Sequence, residues 1–230
     1  MKIGGFQKTS LLDYNGNISA IIWTVGCNFN CPFCYNIDIV KGNVELFSED
    51  EILDFLKKRK GLLEGLVITG GEPLMQKDII DFIKKVKKLG YLIKVDTNGS
   101  FPDKLKKLLD ENLVDYVAMD IKAPKKKYNE ISGVKTNISN IDESIKLIKE
   151  KAPDYEFRTT IIPEMLKKED IIEIGRWLKS SEKYYLQQFK NDISVISPKL
   201  EKVTPYSKKE LEDILQEIKP FFKKCEVRGA

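Results

Sequence analysis

The sequence predicts an α/β fold in which parallel strands form a partial (β/α)6 TIM-like barrel with outer helices. Short apolar, β-branched segments alternate six times with segments whose apolar residues have helical spacing. Such β-then-α units form parallel sheets with right-handed crossovers. An eight-fold barrel takes about 250 residues and eight units, so six units in 230 residues predict an open, partial barrel. A flat doubly wound sheet is the alternative.

The six strands are predicted from runs that end at glycine or polar residues, at 19–25, 66–69, 91–95, 114–119, 155–162 and 184–189. The helices are predicted from one-sided apolar patterns that start at residue 48 and then cover 78–89, 102–112, 140–150, 168–179 and 207–222. Ser48 with Glu51, and Ser207 with Glu210, form capping-box patterns that favour helix starts at both places. Functional residues are expected at the carboxyl ends of the strands.

Composition favours a single globular domain over residues 1–230. The chain is 42% hydrophobic and 32% charged, without a repeat or a Gly/Ser-rich linker. Its net charge of +4 gives no reason to expect a nucleic-acid or membrane partner. No signal-peptide pattern or long apolar segment is present, so a cytoplasmic location with reduced thiols is expected.

The chain has no histidine, which restricts the chemistry that it can perform. Ser-His-Asp hydrolysis, Cys-His proteolysis, histidine-ligated zinc or haem and histidine general-base catalysis are all excluded. The four cysteines are therefore the residues most expected to carry chemistry.

Three of these cysteines, Cys27, Cys31 and Cys34, follow the first predicted strand with the spacing C-x3-C-x2-C. Thiolates this close together need a cation between them, and the spacing favours an iron–sulfur cluster. Zinc and disulfide or redox chemistry are the alternatives. Structural zinc takes four ligands, whereas the remaining cysteine, Cys225, is distant in sequence and is expected to be buried and unreactive.

This cysteine motif, with the aromatic Phe33 before its last cysteine, resembles the signature of the radical S-adenosylmethionine (SAM) enzymes. The resemblance implies that the three thiolates bind a [4Fe-4S] cluster whose fourth iron binds SAM. It also implies a full or partial (β/α) barrel, and it makes residues 26–38 the cluster loop.

A second motif, Gly70-Gly71-Glu72-Pro73, follows the next predicted strand. Alone it is weak, because an ordinary strand-to-helix turn would use the same residues; its glycines would let the backbone approach a ligand closely. In radical SAM enzymes this segment holds the amino group of SAM. The resemblance therefore assigns Gly70, Gly71 and Glu72 to cofactor binding.

The next two strands end in Asp96-Thr97 and in Asp120-Ile121-Lys122. Turn and capping roles are the simpler interpretation. Activating enzymes of glycyl-radical enzymes, which these segments resemble, use them to bind SAM and, in one case, a monovalent cation beside its carboxylate. Arg158, on the following strand, is expected to pair with a ligand carboxylate or one of these aspartates, or to lie on the surface.

Residues 4–14, 120–134 and 186–189 resemble one subgroup of these enzymes, the activating proteins of anaerobic ribonucleoside-triphosphate reductase, so the resemblance covers almost the whole chain. It departs at Tyr35, where many relatives have histidine; an aromatic ring there is still expected to pack near the adenine of SAM. The implied partners are a glycyl-radical enzyme and a reduced flavodoxin or ferredoxin-type electron donor. The alternatives are a pyruvate formate-lyase-type activase, a radical SAM enzyme acting on a nucleoside, RNA or peptide, and a zinc-binding interaction module.

Overall fold

A computed structural model describes residues 1–229 as helices packed on one eight-stranded sheet. The strands, β1 to β8, are Ile3–Ser10, Ser19–Thr24, Gly65–Gly70, Leu92–Thr97, Tyr116–Asp120, Tyr155–Ile161, Ser181–Gln188 and Phe222–Arg228. They pair in sequence order; β1 is antiparallel to β2, and β2 to β8 are parallel. Within the described residues the sheet does not close, because β1 and β8 are its two edges. The predicted α/β class with an open parallel sheet is confirmed.

The α-helices lie mainly in the connections between the parallel strands. As α1 to α8 they cover Ile37–Lys41, Glu49–Lys58, Ile79–Lys88, Pro102–Asp110, Tyr128–Ser132, Ile138–Lys151, Lys168–Trp177 and Lys208–Ile218. Both predicted capping boxes are present, at the starts of α2 and α8. Among the described helices, none is long and apolar enough to cross a membrane.

Alternation along the strands divides the sheet into two faces. In β3, Leu66 and Ile68 join the large core that also contains the apolar faces of the helices. Val67, between them, joins a smaller cluster with Tyr14 and Tyr116 on the opposite face. Since a strand has a period of two, the same rule turns alternate residues of β4, β5 and β6 away from the helices. These side chains build the site described below.

Two strands differ from the prediction. β1 was not predicted because Gly4, Gly5 and three exposed residues interrupt its apolar pattern. The last helix was expected to reach residue 222, but it ends at Ile218, and Phe222 begins β8. A short 3-10 turn that contains Pro220 separates them, because proline does not continue an α-helix. Cys225 lies in β8 and is buried, with only 4% of its surface exposed.

Candidate functional site

The carboxyl ends of the parallel strands enclose a cavity of about 250 Å³. It contains every residue assigned to the site from the sequence except Glu72: its walls include Cys27, Cys31, Phe33, Cys34, Tyr35, Gly70, Gly71, Asp96, Thr97, Asp120, Lys122 and Arg158. The strand order explains this convergence, because the loops that follow neighbouring parallel strands meet at one edge of the sheet. Residues far apart in sequence therefore share one small space.

The cysteine loop leaves β2 at Gly26 and is held by backbone hydrogen bonds. The Gly26 N–H donates to the Ile39 carbonyl at 2.9 Å, and the Asn30 N–H donates to the Ser132 carbonyl at 2.9 Å. Burial raises the pKa of the Cys27 thiol to about 12 and that of Cys31 to about 11. Without a metal both thiols therefore keep their protons at neutral pH, and metal binding must displace those protons.

The arrangement of the thiols bears on the choice between zinc and a cluster. Among residues 1–229, no group of three or more His, Cys, Asp or Glu side chains is arranged to hold a single metal ion. Structural zinc takes four ligands, and the chain has no histidine to add to the three thiols of this loop. Three soft thiol donors on one loop of the cavity suit an iron–sulfur cluster.

The Gly70-Gly71-Glu72 segment packs directly against the start of the cysteine loop. The Gly71 N–H donates to the Thr24 carbonyl and the Glu72 N–H to the Gly26 carbonyl, both at 2.9 Å. A Cβ atom on Gly71 would lie 1.8 Å from the Gly26 carbonyl oxygen, so no larger residue fits without moving the backbone. Gly70 and Gly71 both line the cavity.

We expect Gly71→Ala to lower the free energy of unfolding by about 3 kcal/mol, because the new methyl group overlaps backbone rather than a flexible side chain. Urea unfolding measures the loss. Gly61→Ala is the control: Gly61 has a φ of +83° but no atom within 4 Å of the added Cβ, so it should lose only about 1 kcal/mol of backbone strain. Equal losses in the two variants would contradict the close contact.

The carboxylate of Glu72 lies outside the cavity wall and is fully buried. It accepts hydrogen bonds from the Thr97 hydroxyl at 2.7 Å, the Asn98 N–H at 2.7 Å and the Leu74 N–H at 3.0 Å. It thus ties the end of β3 to the end of β4. Its assignment to the amino group of SAM stays a prediction, and Gly70 and Gly71 are the members of the motif that face the cavity.

Burial raises the pKa of Glu72 to about 7, although three hydrogen-bond donors oppose the shift. The folded chain therefore binds a proton at Glu72 more readily than the unfolded chain. The stability that this proton adds is full below about pH 4.5 and is lost as the pH rises through about 7. We expect the difference in unfolding free energy between wild type and Glu72→Gln to change by about 3 kcal/mol between pH 4.5 and pH 8. Urea unfolding of both proteins across this range measures it. A pH-independent difference would contradict the raised pKa.

Four charged side chains form a network on the cavity wall. Arg158 donates from Nε to Asp120 Oδ1 at 2.9 Å and from Nη1 to Asp96 Oδ2 at 3.2 Å, and Lys122 Nζ donates to Asp120 Oδ2 at 3.0 Å. Burial alone would raise the pKa of Asp120, but Arg158 and Lys122 hold it at about 2. Although burial opposes it, Asp120 raises the pKa of both Arg158 and Lys122. Asp120, Lys122 and Arg158 therefore carry their charges at neutral pH.

Tyr35 connects the cysteine loop to the loop that follows β7. Its ring stacks on Phe189, with ring centres 5.9 Å apart, and its hydroxyl accepts from the Lys190 N–H at 2.7 Å. Further along the same loop, the Ile196 N–H donates to the Cys34 carbonyl at 3.2 Å. Tyr35 lines the cavity, and its contacts hold this later loop against the cysteine loop.

Sequence reasoning missed several polar residues of the site. Asn98 Nδ2 is 3.9 Å from the Cys27 sulfur, and it donates to Asn28 Oδ1 at 3.0 Å. Thr160 and Gln187 also line the cavity. The available signal for Asn98 was its position directly after Asp96-Thr97, where an Asn-Gly pair is also typical of an ordinary turn. Thr160 and Gln187 lie on strands whose composition did not distinguish them.

Comparison with known proteins gives the family. A family model described as the Radical SAM superfamily matches residues 21–178. Two proteins of Methanocaldococcus jannaschii, whose names describe them as candidate glycyl-radical enzyme activating enzymes, align over most of the chain. One is 34% identical, with 81% of this chain and 79% of the relative covered; the other is 28% identical, with 78% and 72% covered.

Solved structures agree on the fold. Streptococcus suis SuiB bound to its precursor peptide SuiA superposes with a TM-score of 0.67 at 15% identity, over 90% of this chain and 47% of that one. A domain of pyruvate-formate lyase-activating enzyme from Bacteroides vulgatus gives a TM-score of 0.53 at 16% identity, over 72% and 99%. With three cysteines on one cavity, a matching family model and relatives along most of its length, the chain belongs to the radical SAM superfamily, an enzyme family whose cofactors are a [4Fe-4S] cluster and SAM.

Proposed function

We propose that this protein activates a glycyl-radical enzyme, and that its partner is an anaerobic ribonucleoside-triphosphate reductase. The observation that carries the proposal is the 34% identity, over most of both chains, to a candidate activating enzyme. When bound, the cluster and SAM supply one-electron chemistry that removes a hydrogen atom from the α-carbon of a glycine in the partner. The electron comes from a reduced flavodoxin or ferredoxin-type donor.

In this proposal Cys27, Cys31 and Cys34 bind the cluster and leave one iron open for SAM. Gly70 and Gly71 let the backbone approach the SAM amino group, because neither has a side chain to fill the cavity. Lys122 and Arg158 place positive charge in the same cavity, which favours the SAM carboxylate. Residues 1–230 act as one radical SAM domain with its cluster loop at 26–38.

The chain's own residues perform no acid–base step in this function. The proposed hydrogen-atom transfer needs orientation and a dry cavity rather than a general base, which agrees with a sequence that has no histidine. Phe29 and Phe33 are buried and line the cavity, and Val40 and Ile196 add apolar surface beside the cysteines. These side chains limit the entry of water to the site.

The partner assignment ranks above three others. A pyruvate formate-lyase-type partner is second, and the fold shared with an activating-enzyme domain from Bacteroides vulgatus supports it only at that level. A peptide, nucleoside or RNA base is third; SuiB is described in complex with a precursor peptide. A zinc-binding module is last, because structural zinc takes four ligands and the chain has no histidine to add to the three loop cysteines. We place the protein in the cytoplasm, where its four free thiols stay reduced, and propose no membrane or nucleic-acid partner.

The decisive experiment is anaerobic reconstitution with iron and sulfide, followed by reduction in the presence of SAM and the purified reductase. We expect 5′-deoxyadenosine and a glycyl-radical EPR signal on the reductase. A radical on pyruvate formate-lyase alone would transfer the proposal to the second partner. Turnover of a small molecule without a protein partner, or zinc without iron and acid-labile sulfide after anaerobic purification, would contradict it.

The resemblance also implies a monovalent cation beside the SAM carboxylate, but the contacts of this site do not favour one. The cation would need oxygen ligands from the carboxyl ends of β4 and β5, which are those of Asp96, Thr97 and Asp120. Arg158 already contacts both aspartates, and the Thr97 hydroxyl donates to Glu72 and accepts from the Gly99 N–H.

A further inference from the structure

Arg158 stands where the carboxylates of β4 and β5 come together. It lies on β6 with only 11% of its side chain exposed, and it bridges Asp120 at 2.9 Å and Asp96 at 3.2 Å. Its own β-strand is adjacent to β5, so the guanidinium reaches past one neighbouring strand to the next. Two carboxylates on different strands are thereby joined by one planar cation, a geometry that suits arginine rather than lysine.

The remaining carboxylate oxygens face other fixed cations. Asp120 Oδ2 is 3.0 Å from Lys122 Nζ, and Asp96 Oδ1 is 3.5 Å from Lys94 Nζ. Asp96 Oδ1 is buried and makes no hydrogen bond, so it is held by charge alone. A hard metal cation prefers oxygen ligands such as carboxylates. Here each of these oxygens is already close to a positive side chain.

The charge balance of the network also opposes a free cation. Lys94, Lys122 and Arg158 supply three positive charges, against the two negative charges of Asp96 and Asp120. The buried Glu156 is 3.9 Å from Arg158, but it forms a closer pair with Arg228, at 2.7 Å. The group as a whole is therefore not anionic. It repels a further cation and attracts the carboxylate of a ligand.

We propose that Arg158 is a built-in cation that performs the role of a bound monovalent metal ion at this site. Its positive charge holds Asp96 and Asp120 in place and orients the network towards the ligand carboxylate, so neither Na⁺ nor K⁺ is required. The identity of that ligand as SAM rests on the proposed function. The claim about cations rests on the arginine and the two aspartates, and it can be tested without SAM.

The test measures thermal unfolding of the full chain, purified anaerobically and without added SAM, in NaCl, KCl or choline chloride at equal ionic strength. Wild type should melt at the same temperature in all three salts. Arg158→Met should melt lower in choline chloride, because two carboxylates lose their shared partner, and Na⁺ or K⁺ should raise its melting temperature by about 3 °C or more. Adding Asp120→Asn to Arg158→Met should remove that rise.

Arg176→Met is the matched control, since Arg176 is exposed on α7 and loses the same charge; its melting should not depend on the identity of the cation. Specific stabilisation of wild type by Na⁺ or K⁺ would overturn the proposal even if Arg158→Met fails to fold. So would identical melting of Arg158→Met in all three salts. If Arg158→Met does not fold, Arg158→Lys provides a second comparison. Unlike wild type, its melting temperature should depend on the cation, because an ammonium cannot bridge both aspartates.

Calorimetric titration of the reconstituted protein with SAM separates this inference from the proposed function. We expect the wild-type Kd to differ by less than about twofold between KCl and choline chloride, and that of Arg158→Met to be at least about tenfold tighter in KCl. Failure of wild type to bind SAM in any salt would count against the proposed function, while the unfolding series would still decide the role of Arg158. A wild-type Kd that needs K⁺ would overturn the role given to Arg158.

Discussion

Replacing Cys27, Cys31 or Cys34 singly with alanine is expected to abolish formation of 5′-deoxyadenosine after anaerobic reconstitution. Each change removes one of the three thiols on the cavity wall, and the chain contains no histidine that could replace it as a ligand. Because each thiolate is needed to hold a cluster with one open iron, we expect a loss of at least about a hundredfold, together with reduced iron and sulfide content. Product assay and metal analysis measure the two effects.

Cys225→Ala is the control for this series. Cys225 is buried like Cys31, whereas Cys27 and Cys34 are partly exposed, and it lies in β8, within the apolar core. Its loss should leave iron content and product formation unchanged and cost only a small amount of stability. Full activity in any of the three loop variants would refute the cluster assignment. Loss of iron in Cys225→Ala would show that β8 contributes to the site.

Glu156→Gln is expected to cause a large loss of stability from a single charge change. Glu156 is 2% exposed and accepts two hydrogen bonds from Arg228, at 2.7 and 2.8 Å, and one from the Tyr116 hydroxyl at 2.8 Å. The substitution leaves Arg228, whose side chain is 37% exposed and stays partly hydrated, and the buried Arg158, 3.9 Å away, with one counter-charge fewer. We expect the free energy of unfolding to fall by about 2 kcal/mol, as measured by urea unfolding.

The same substitution at Glu182 is the comparison. Glu182 also contacts a cation, Lys223, but that pair is exposed, on β7 and the adjacent edge strand β8. Water screens it, so Glu182→Gln should change stability very little. If the two variants lose similar amounts of stability, the contacts of Glu156 contribute no more than a surface ion pair.

Six of the seven parallel strands, β2 to β7, could be predicted from apolar, aromatic or β-branched segments that end at glycine or polar residues. All six predicted strands are present, and the motifs lie at or just after their carboxyl ends. β8 could not be predicted, since Lys223, Lys224 and Glu226 give this edge strand a polar sequence. An edge strand needs less apolar surface than a central one.

The sequence predicted which residues line the site better than it predicted their contacts with one another. The sequence left Arg158 with several possible partners, and only the packing of β4, β5 and β6 brings it to Asp96 and Asp120 together. For Glu72, whose role at the cofactor stays a prediction, the sequence did not show the three hydrogen-bond donors that its carboxylate contacts, on Leu74, Thr97 and Asn98. Such choices depend on distances between strands, which spacing along the chain does not contain.

The contacts of the cysteine loop with residues after β7 determine when the site becomes complete during synthesis. The Tyr35 hydroxyl pairs with Lys190, which is 155 positions later, and the Ser197 N–H donates to the Pro32 carbonyl at 2.8 Å. A ribosome adds about 5–20 residues per second, so these partners are synthesised roughly 8 to 30 s after the loop itself. The cysteines are made early, but their final surroundings form late.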